Sequence, residues 1–459
     1  MKSIRRGQHL ITILLAVFLL VFGILLWKLQ TQAGFYYANS AHPSLGLVYD
    51  RTGDVLFDPE ASADTYAYDH FVDVGNLIGD NAGQMTNTLV ARNIADLGNF
   101  SFMLGEQTDG SAAIHTTLDH AVNRSVYDAF GSKNGCAVAY NYKTGEIYVC
   151  TSRPNVNVLD GYKNVESLES GSLLCKVFYP TVPGSTQKIP TTIAALESMG
   201  WEALSQKQYT CQGIYTNLSG QDIRCHKSAG HGTQDITAAF ANSCNPFYAQ
   251  LVADPDLPLS DIEAVYARMG YCLDSEAEPD EFSVDGILSY TASTVLTDEN
   301  DFHTQWGCMG QGRTLVSPMQ MTIWQSAIAE SSGICTMPRL IDHLTRVNGK
   351  NTGYTEPSFT SQMFSQESAA RMREIMLENG RKNYASLLPG TDVGVKSGTA
   401  QIGNSKTENS LLTGFTDDPD FPVAFCIVIE NRVEGEVSTS RIAGVMLQNL
   451  QAALKGGTT

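Results

Sequence analysis

Three short motifs that carry a hydroxyl, an amine or an amide follow one another in a fixed order along the chain. They are Ser185-Thr-Gln-Lys188, Ser243-Cys-Asn245 and Lys396-Ser-Gly-Thr399. A single Ser-x-x-Lys segment carries little information, because chance supplies roughly one in a chain of this size. All three together predict a fold that brings a helix start, a loop and a strand end to one cleft, and no other feature of the sequence restricts the fold as strongly.

The first motif lies at a predicted helix start. Pro183 and Gly184 precede Ser185, and apolar residues at helical spacing follow as far as Gly200. A serine at this place can be an ordinary helix cap. Lys188 favours a chemical role, because residues three apart share one helix face and a desolvated lysine can lose its proton near neutral pH. Ser185 is therefore the candidate nucleophile and Lys188 its base.

The second and third motifs supply the remaining polar groups. Ser243 follows a short helical run and can relay a proton to a leaving amine, while the Asn245 amide can hold a peptide. Lys396 ends a predicted strand, where its charge would lower the pKa of Lys188 and attract a carboxylate. Without the first motif, the other two would be an ordinary helix end and a β-turn.

The residues after Lys396 are predicted to contact a substrate. Gly398 would let a substrate backbone come close, and the exposed strand edge formed by Ser397, Gly398 and Thr399 could pair with an extended peptide. The backbone N–H groups of Ser185 and Thr399 are predicted to form an oxyanion hole.

The amino-terminal residues differ in composition from the rest of the chain. Leu10–Trp27 is apolar except for one threonine and can cross about 30 Å of hydrocarbon as a helix. Basic residues precede it and only Lys28 follows directly, which predicts a cytoplasmic amino terminus. A cleaved signal peptide is the alternative, although signal h-regions usually run about 7–15 residues. We expect a cytoplasmic tail at 1–7, a transmembrane anchor at 8–28 and an exported remainder, hence a single-pass protein of the cytoplasmic membrane.

The net charge and the cysteine and histidine spacing indicate which ligands and cross-links the chain can have. A net charge of −18 argues against binding to nucleic acid, which needs a basic surface. Cys211 and Cys225 bracket a polar, turn-rich stretch and form the best candidate for a disulfide in an exported chain. The sequence contains no Cys-x-x-Cys and no His-x-x-x-His pair, so no metal site and no cofactor are predicted.

Strand and helix patterns divide the exported part in two. Residues 29–131 are predicted to form a small mixed domain (the pedestal), with two short strands in Gly46–Leu56 and a helix that begins at Thr116–Asp119. Residues 132–456 are predicted to form a large α+β domain. Its strands are Cys136–Tyr140, Glu146–Cys150, Asp392–Lys396 and Val423–Ile429, and its last helix is Ser438–Leu454. Distant segments would thus complete one antiparallel sheet with helices packed on it.

In these motifs the sequence resembles the class B penicillin-binding proteins, and most of all their short penicillin-binding protein A type. Further matching segments are Asp50-Arg51 with Gly53, Thr144–Ile147, Tyr179–Ser185, His231-Gly232, Met309–Gly312 and Ser317–Gln320. The resemblance implies a β-lactamase/transpeptidase-like domain at 132–456, with helices on both sides of the sheet and a helical lobe. It further implies a monofunctional D,D-transpeptidase that cross-links peptidoglycan stem peptides through an acyl-enzyme on Ser185 and is acylated by β-lactams. A SEDS-type glycosyltransferase in the membrane is the implied partner.

The sequence departs from the family pattern at three places. Ser397 stands where these transpeptidases usually have threonine, Asn409–Leu412 stands where a His-Ala-Trp-Phe-like strand is common, and Leu45-Gly46 replaces the usual Arg-Gly. Two other functions remain open. A serine β-lactamase would need a carboxylate that activates water, and no Glu-x-x-Leu-Asn motif is present. A β-lactam sensor would need a signalling domain, and an inactive scaffold would not need every catalytic position filled.

Overall fold

A computed structural model of the protein describes residues 2–38, 44–101, 105–106, 112–160, 165–347, 349–353, 356–401 and 407–456. Helix α1 (Lys2–Ala38) contains the segment Gly7–Leu29, which is long and apolar enough to cross a membrane. No other helix of the described chain meets that criterion. Among the described residues the segment is not buried against the rest of the protein, and it covers the predicted anchor at 8–28.

The pedestal is built on a small sheet of five strands. Strands β1 (Leu47–Tyr49) and β2 (Val55–Phe57) form the antiparallel pair predicted for Gly46–Leu56. The rest of the pedestal consists of short elements, namely α2 (Gly75–Ile78), α3 (Leu89–Arg92), α4 (Ile94–Leu97), β3 (Phe100–Ser101), β4 (Gly105–Glu106) and β5 (Ala113–Thr116). Strand β5 pairs parallel with β1 and extends the small sheet.

The large domain begins with a helix and a hairpin. Helix α5 (His120–Ala129) starts where the sequence predicts, with Asp119 as the side-chain cap of the Val122 N–H. The antiparallel strands β6 (Gly135–Asn141) and β7 (Ile147–Arg153) follow, as the predicted hairpin.

A lobe of helices and short strands separates this hairpin from the remaining strands of the main sheet. Its helices are α6 (Lys188–Gln206), α7 (Ile236–Ala241), α8 (Asn245–Val252), α9 (Leu259–Arg268), α10 (Phe302–Gly307), α11 (Pro318–Ala329) and α12 (Gln366–Asn383). Between them lie β8 (Tyr209–Cys211), β9 (Ile214–Thr216), β10 (Asp222–Arg224), β11 (Gly232–Gln234), β12 (Tyr271–Cys272), β13 (Glu281–Val284), β14 (Ile287–Tyr290), β15 (Ala292–Ser293), β16 (Ile341–Thr345) and β17 (Asn351–Thr352).

The main sheet is completed by β18 (Val393–Gln401), β19 (Glu408–Thr416) and β20 (Val423–Arg432), and the last element is α13 (Thr439–Gly456). Its strand order is β18-β19-β20-β6-β7 and every neighbouring pair is antiparallel. The side chains of β20 alternate between two cores, because successive residues of a strand point to opposite faces. Phe425 and Ile427 pack towards α13, whereas Cys426 and Val428 pack towards α6 and α11. The predicted antiparallel sheet with helices on both sides is confirmed.

The two predicted domains exchange elements. Helix α5 lies inside the predicted range of the pedestal, but its residues Val122 and Val126 are buried in the core between the main sheet and α13. Conversely, β16 pairs with β5 and joins the pedestal sheet from more than 200 residues further along the chain. The predicted boundary at residue 131 divides the chain into two continuous ranges, whereas in the structure α5 packs with the large domain and β16 pairs with the small sheet.

Candidate active site

Ser185 lies in a turn that is pressed against the end of the main sheet. A short 3₁₀ turn, Gly184–Gln187, precedes α6, so Ser185 stands just before the α-helix that the sequence predicts to begin there. Gly184 has a φ of +54°, and a Cβ at this position would lie 2.7 Å from the carbonyl oxygen of Thr399. Only glycine permits both this conformation and this close approach. The glycine thus fixes the nucleophile turn beside β18.

Lys188 is placed to act on Ser185. Its Nζ lies 2.7 Å from Ser185 Oγ and is completely buried. Burial disfavours the charged amine and lowers the pKa of Lys188 to about 7. A neutral amine has a lone pair to accept the hydroxyl proton and N–H groups to donate to other acceptors, so the predicted role of Lys188 as a general base is compatible with its position and its lowered pKa.

Ser243 lies between two amines. Its Oγ is 3.5 Å from Lys188 Nζ and 3.0 Å from Lys396 Nζ. It occupies the sharp turn between α7 and α8 with a φ of +51°, a left-handed conformation that is uncommon for a residue other than glycine. Such strained residues concentrate at functional sites. The hydroxyl is therefore held where it can pass a proton between the amines and a bound group.

Asn245 borders the cleft and also contacts Lys188. Its Oδ1 lies 2.7 Å from Lys188 Nζ, and its Nδ2 donates to the backbone carbonyl of Arg224 at 3.1 Å. The side chain thus orients the base and connects it to β10. One amide N–H is left for a substrate, whereas the sequence assigned the whole amide to substrate binding.

Lys396 is buried on β18, and its Nζ also lies 2.9 Å from the carbonyl oxygen of Ser397. Burial and the nearby charge of Lys188 lower the pKa of Lys396 well below its usual value. The sequence predicts that the charge of Lys396 lowers the pKa of Lys188, but burial is the main cause for both amines. Two buried amines beside one hydroxyl favour a state in which one of them is neutral.

The predicted substrate strand lies at the edge of the main sheet. Strand β18 pairs on one side with β19, with Ser397 opposite Leu412 and Thr399 opposite Ser410, and has no partner strand on the other in the described chain. The departure at Asn409–Leu412 thus lies in β19, which pairs in continuous register with β18 and has a register shift against β20 between Glu408 and Ser410. A cleft of about 990 Å³ lies beside this edge. It is lined by polar residues that include Ser185, Ser243, Asn245, Ser397 and Thr399.

Two backbone contacts at this edge were not predicted. A Cβ on Gly398 would lie 2.5 Å from the carbonyl oxygen of Pro183, so this glycine is required by the nucleophile turn, whereas the sequence assigned it to substrate approach. Gln311 donates from Nε2 to the carbonyl oxygen of Thr399 at 3.1 Å. The predicted oxyanion hole of Ser185 and Thr399 N–H groups remains a prediction, supported by the close approach of Gly184, the residue before Ser185, to the Thr399 backbone.

The predicted disulfide is not formed. Cys211 and Cys225 are free thiols, as are all ten cysteines of the chain. Both sulfur atoms instead share a cluster with Cys244 and His231, whose ligand atoms all lie within 4.8 Å of one another. Cys244 is the middle residue of the second motif, so this cluster is directly connected to Ser243 and Asn245.

Comparisons with known proteins agree on the large domain. The family described as the penicillin binding protein transpeptidase domain matches residues 135–448. Among curated proteins, stage V sporulation protein D of Bacillus subtilis is 27% identical over 336 residues, which is 68% of this chain and 48% of that protein. Penicillin-binding protein 3 of the same organism is 22% identical over 335 residues, 68% of this chain and 47% of its own. The chain matches about half the length of these relatives.

Solved structures share the fold over nearly the whole chain. Penicillin-binding protein A of Mycobacterium tuberculosis, as its ceftriaxone acyl-enzyme, superposes with a TM-score of 0.75 at 18% identity and covers 89% of this chain and 98% of its own. Its penicillin G acyl-enzyme gives a TM-score of 0.70 at 18% identity, with 90% and 99% covered. The D,D-transpeptidase domain of a peptidoglycan glycosyltransferase from Eggerthella lenta gives 0.69 at 22% identity, with 91% and 100% covered.

Proposed function

The chain belongs to the family of penicillin-binding protein transpeptidases, and we propose that it is a D,D-transpeptidase that cross-links peptidoglycan stem peptides through an acyl-enzyme on Ser185. The observation that carries this proposal is the buried Lys188 amine, 2.7 Å from Ser185 Oγ, with its pKa lowered to about 7. A serine hydroxyl is a weak nucleophile until an adjacent base accepts its proton.

The reaction would proceed in two halves. Lys188 accepts the Ser185 proton while Oγ bonds to the carbonyl carbon of the penultimate D-alanine of a stem peptide. The negative charge on the carbonyl oxygen is stabilised by the N–H groups of Ser185 and Thr399. Ser243, between the two amines, passes a proton to the nitrogen of the terminal D-alanine, which leaves as the C–N bond breaks. The amine of a neighbouring stem peptide then attacks the ester carbon and gives up a proton to Lys188, and Ser185 Oγ takes this proton back as the C–O bond breaks and the new amide bond is left.

The cleft suits an extended peptide that ends in a carboxylate. The open edge of β18 offers backbone groups to a strand-like substrate. The hydroxyls of Ser397 and Thr399 border the same cleft, and Lys396 lies behind them. A hydroxyl is preserved at 397, so we expect the Ser-for-Thr departure to leave substrate binding intact. A β-lactam would enter the same site and acylate Ser185.

The penicilloyl adduct is expected to persist for many minutes after excess penicillin is removed. Hydrolysis needs a base that activates water, and the described carboxylates at the cleft are engaged elsewhere. Asp222 contacts Thr216 and Arg224, and Glu408 lies 3.8 Å from Arg432. The ring-opened drug also stays tethered and blocks the space that D-alanine vacates. Intact-protein mass spectrometry over time measures the decay.

The same experiment separates the two enzymatic functions. A half-life of seconds would reject the transpeptidase assignment in favour of a serine β-lactamase. A protein that never forms an adduct would point to an inactive scaffold.

We further propose a single-pass topology with the amino terminus in the cytoplasm and the large domain outside the membrane. The supporting observations are α1, exposed from Gly7 to Leu29, and the basic residues that precede this segment. A SEDS-type glycosyltransferase is the proposed partner, because α1 offers an unpacked apolar surface within the membrane. A photo-crosslinker placed along Leu10–Trp27 should capture this polymerase in cells, and one placed on the exposed Glu202 of α6 should not. Equal capture at both sites would contradict the partnership.

A further inference from the structure

Four potential metal ligands meet at the wall of the catalytic cleft. Cys211 ends β8, Cys225 follows β10, His231 precedes β11 and Cys244 precedes α8. The ligand atoms of all four residues lie within 4.8 Å of one another, and Cys225 Sγ is 3.4 Å from His231 Nδ1. They come from three segments, namely the end of β8, the loop between β10 and β11, and the start of α8, so no single turn or hairpin explains the convergence.

The cluster is compact enough to hold a tetrahedral metal centre. With Zn–S bonds of about 2.3 Å and Zn–N bonds of about 2.0 Å, neighbouring ligand atoms of a tetrahedral site lie roughly 3.5 to 3.8 Å apart. The 3.4 Å between Cys225 and His231 is close to that value. Three thiolates with one imidazole is a common ligand set for structural zinc, whereas oxygen-seeking Mg²⁺ and Ca²⁺ avoid it.

The backbone around the cluster is unusually tight. A Cβ on Gly213 would lie 2.0 Å from the carbonyl oxygen of Ser228, and one on Gly230 would lie 2.2 Å from that of Cys211. Both glycines have positive φ, and the Cys225 N–H donates to the Gly213 carbonyl at 2.8 Å. These contacts hold the loop after β8 against the loop between β10 and β11. They thereby bring the Cys211 and Cys225 thiols close to the His231 imidazole.

We propose that Cys211, Cys225, His231 and Cys244 bind one Zn²⁺ ion that fixes the second catalytic motif. Cys244 is bonded to Ser243 and Asn245 on either side, and Asn245 Nδ2 donates to the carbonyl of Arg224, the residue before Cys225. The ion would therefore tie β10 to the segment that orients Lys188 and the relay hydroxyl. It would be structural, since all four of its positions are filled by protein ligands. The sequence predicts no metal site, and this proposal replaces that expectation.

Metal content tests the proposal directly. The full chain, purified in detergent with a thiol reductant, is expected to contain about one zinc ion per molecule by elemental mass spectrometry. Cys225→Ser combined with His231→Ala should reduce this to below about one tenth, since both residues are half-buried and their loss leaves the core intact. Cys272→Ser is the matched control, because Cys272 is a half-buried free thiol outside the cluster and its variant should retain zinc.

Thermal unfolding gives a second readout that does not depend on catalysis. A zinc chelator should lower the unfolding temperature of the wild-type chain and of Cys272→Ser, but not that of the double variant. Wild-type protein that carries no zinc and takes up none from an equimolar zinc salt would overturn the proposal. So would a disulfide between two of the cluster cysteines in the reduced preparation, or a double variant that keeps a full ion.

Discussion

Replacement of Ser185 by alanine is expected to abolish the penicillin adduct completely. The change removes the only atom of this residue that can form the ester, and no neighbouring group can take its place without moving the turn. Ser243 Oγ lies between two amines, but it stands on a different loop, in front of α8. The measurement is intact-protein mass spectrometry after incubation with penicillin, followed by peptide mapping of the wild-type adduct.

The Ser185→Ala variant should fold normally. Lys188 keeps its contacts with Asn245 Oδ1 and the Ser243 carbonyl, so its amine is not left buried without a partner. Ser205→Ala in α6 is a suitable control, because the one hydrogen bond of the Ser205 hydroxyl in the described chain goes to the carbonyl of Glu202. That variant should acylate as the wild type does. Labelling that survives Ser185→Ala, or an adduct mapped to another peptide, would remove Ser185 from the proposed role.

The parts of the fold that the sequence predicts correctly depend on local patterns. The turn between β6 and β7, the short apolar run of β20 and the helical spacing of α13 are each patterns within a few residues of the sequence. The order of the three motifs adds long-range information, since their chemistry requires them to meet. Ser185, Lys188, Ser243, Asn245 and Lys396 are all found at one cleft or directly behind it for this reason.

Features that depend on tertiary contacts could not be predicted from local sequence patterns. The pairing of β16 with β5 joins segments more than 200 residues apart, and neither strand has an unusual sequence. The positions of Gly184 and Gly398 are set by how closely two backbones pass, which only the folded chain defines. The burial that lowers the pKa of Lys188 likewise comes from the packing of α6, α8 and β18.

The cysteine cluster shows how spacing can mislead. Cys211 and Cys225 do come together, as their bracketing of a turn-rich stretch suggests, but as two members of a group of four. Metal sites are usually recognised by close ligand pairs, and here successive ligands lie 14, 6 and 13 residues apart, from the positions 211, 225, 231 and 244. A signal was present in His231, which the family resemblance includes, and in the cysteine within Ser243-Cys-Asn245.

Replacement of Lys188 by alanine is expected to slow acylation by about 10²–10⁴-fold, the usual contribution of a general base. Lys188→Met is the companion variant, because it keeps the length of the buried side chain and removes only the amine. Both should behave alike if proton transfer is the role of Lys188, and Lys207→Ala, which removes a lysine outside the cleft, should leave the rate unchanged. Stopped-flow acylation by a penicillin gives the rates, and the unfolding temperatures show whether each variant is folded.

The dependence of acylation on pH identifies the role of the amine more sharply. Burial lowers the pKa of Lys188 to about 7, although Cys244 and Cys225 nearby act to raise it. The pKa of the second amine, Lys396, is also lowered. Below the pKa of Lys188 its amine holds a proton and cannot accept another, so the wild-type rate should rise as the pH increases through about 7 and then level off. The rise should disappear in Lys188→Met, because no amine is left to titrate beside Ser185. A methionine variant with near wild-type rates, or with the same rise, would show that another group activates the serine.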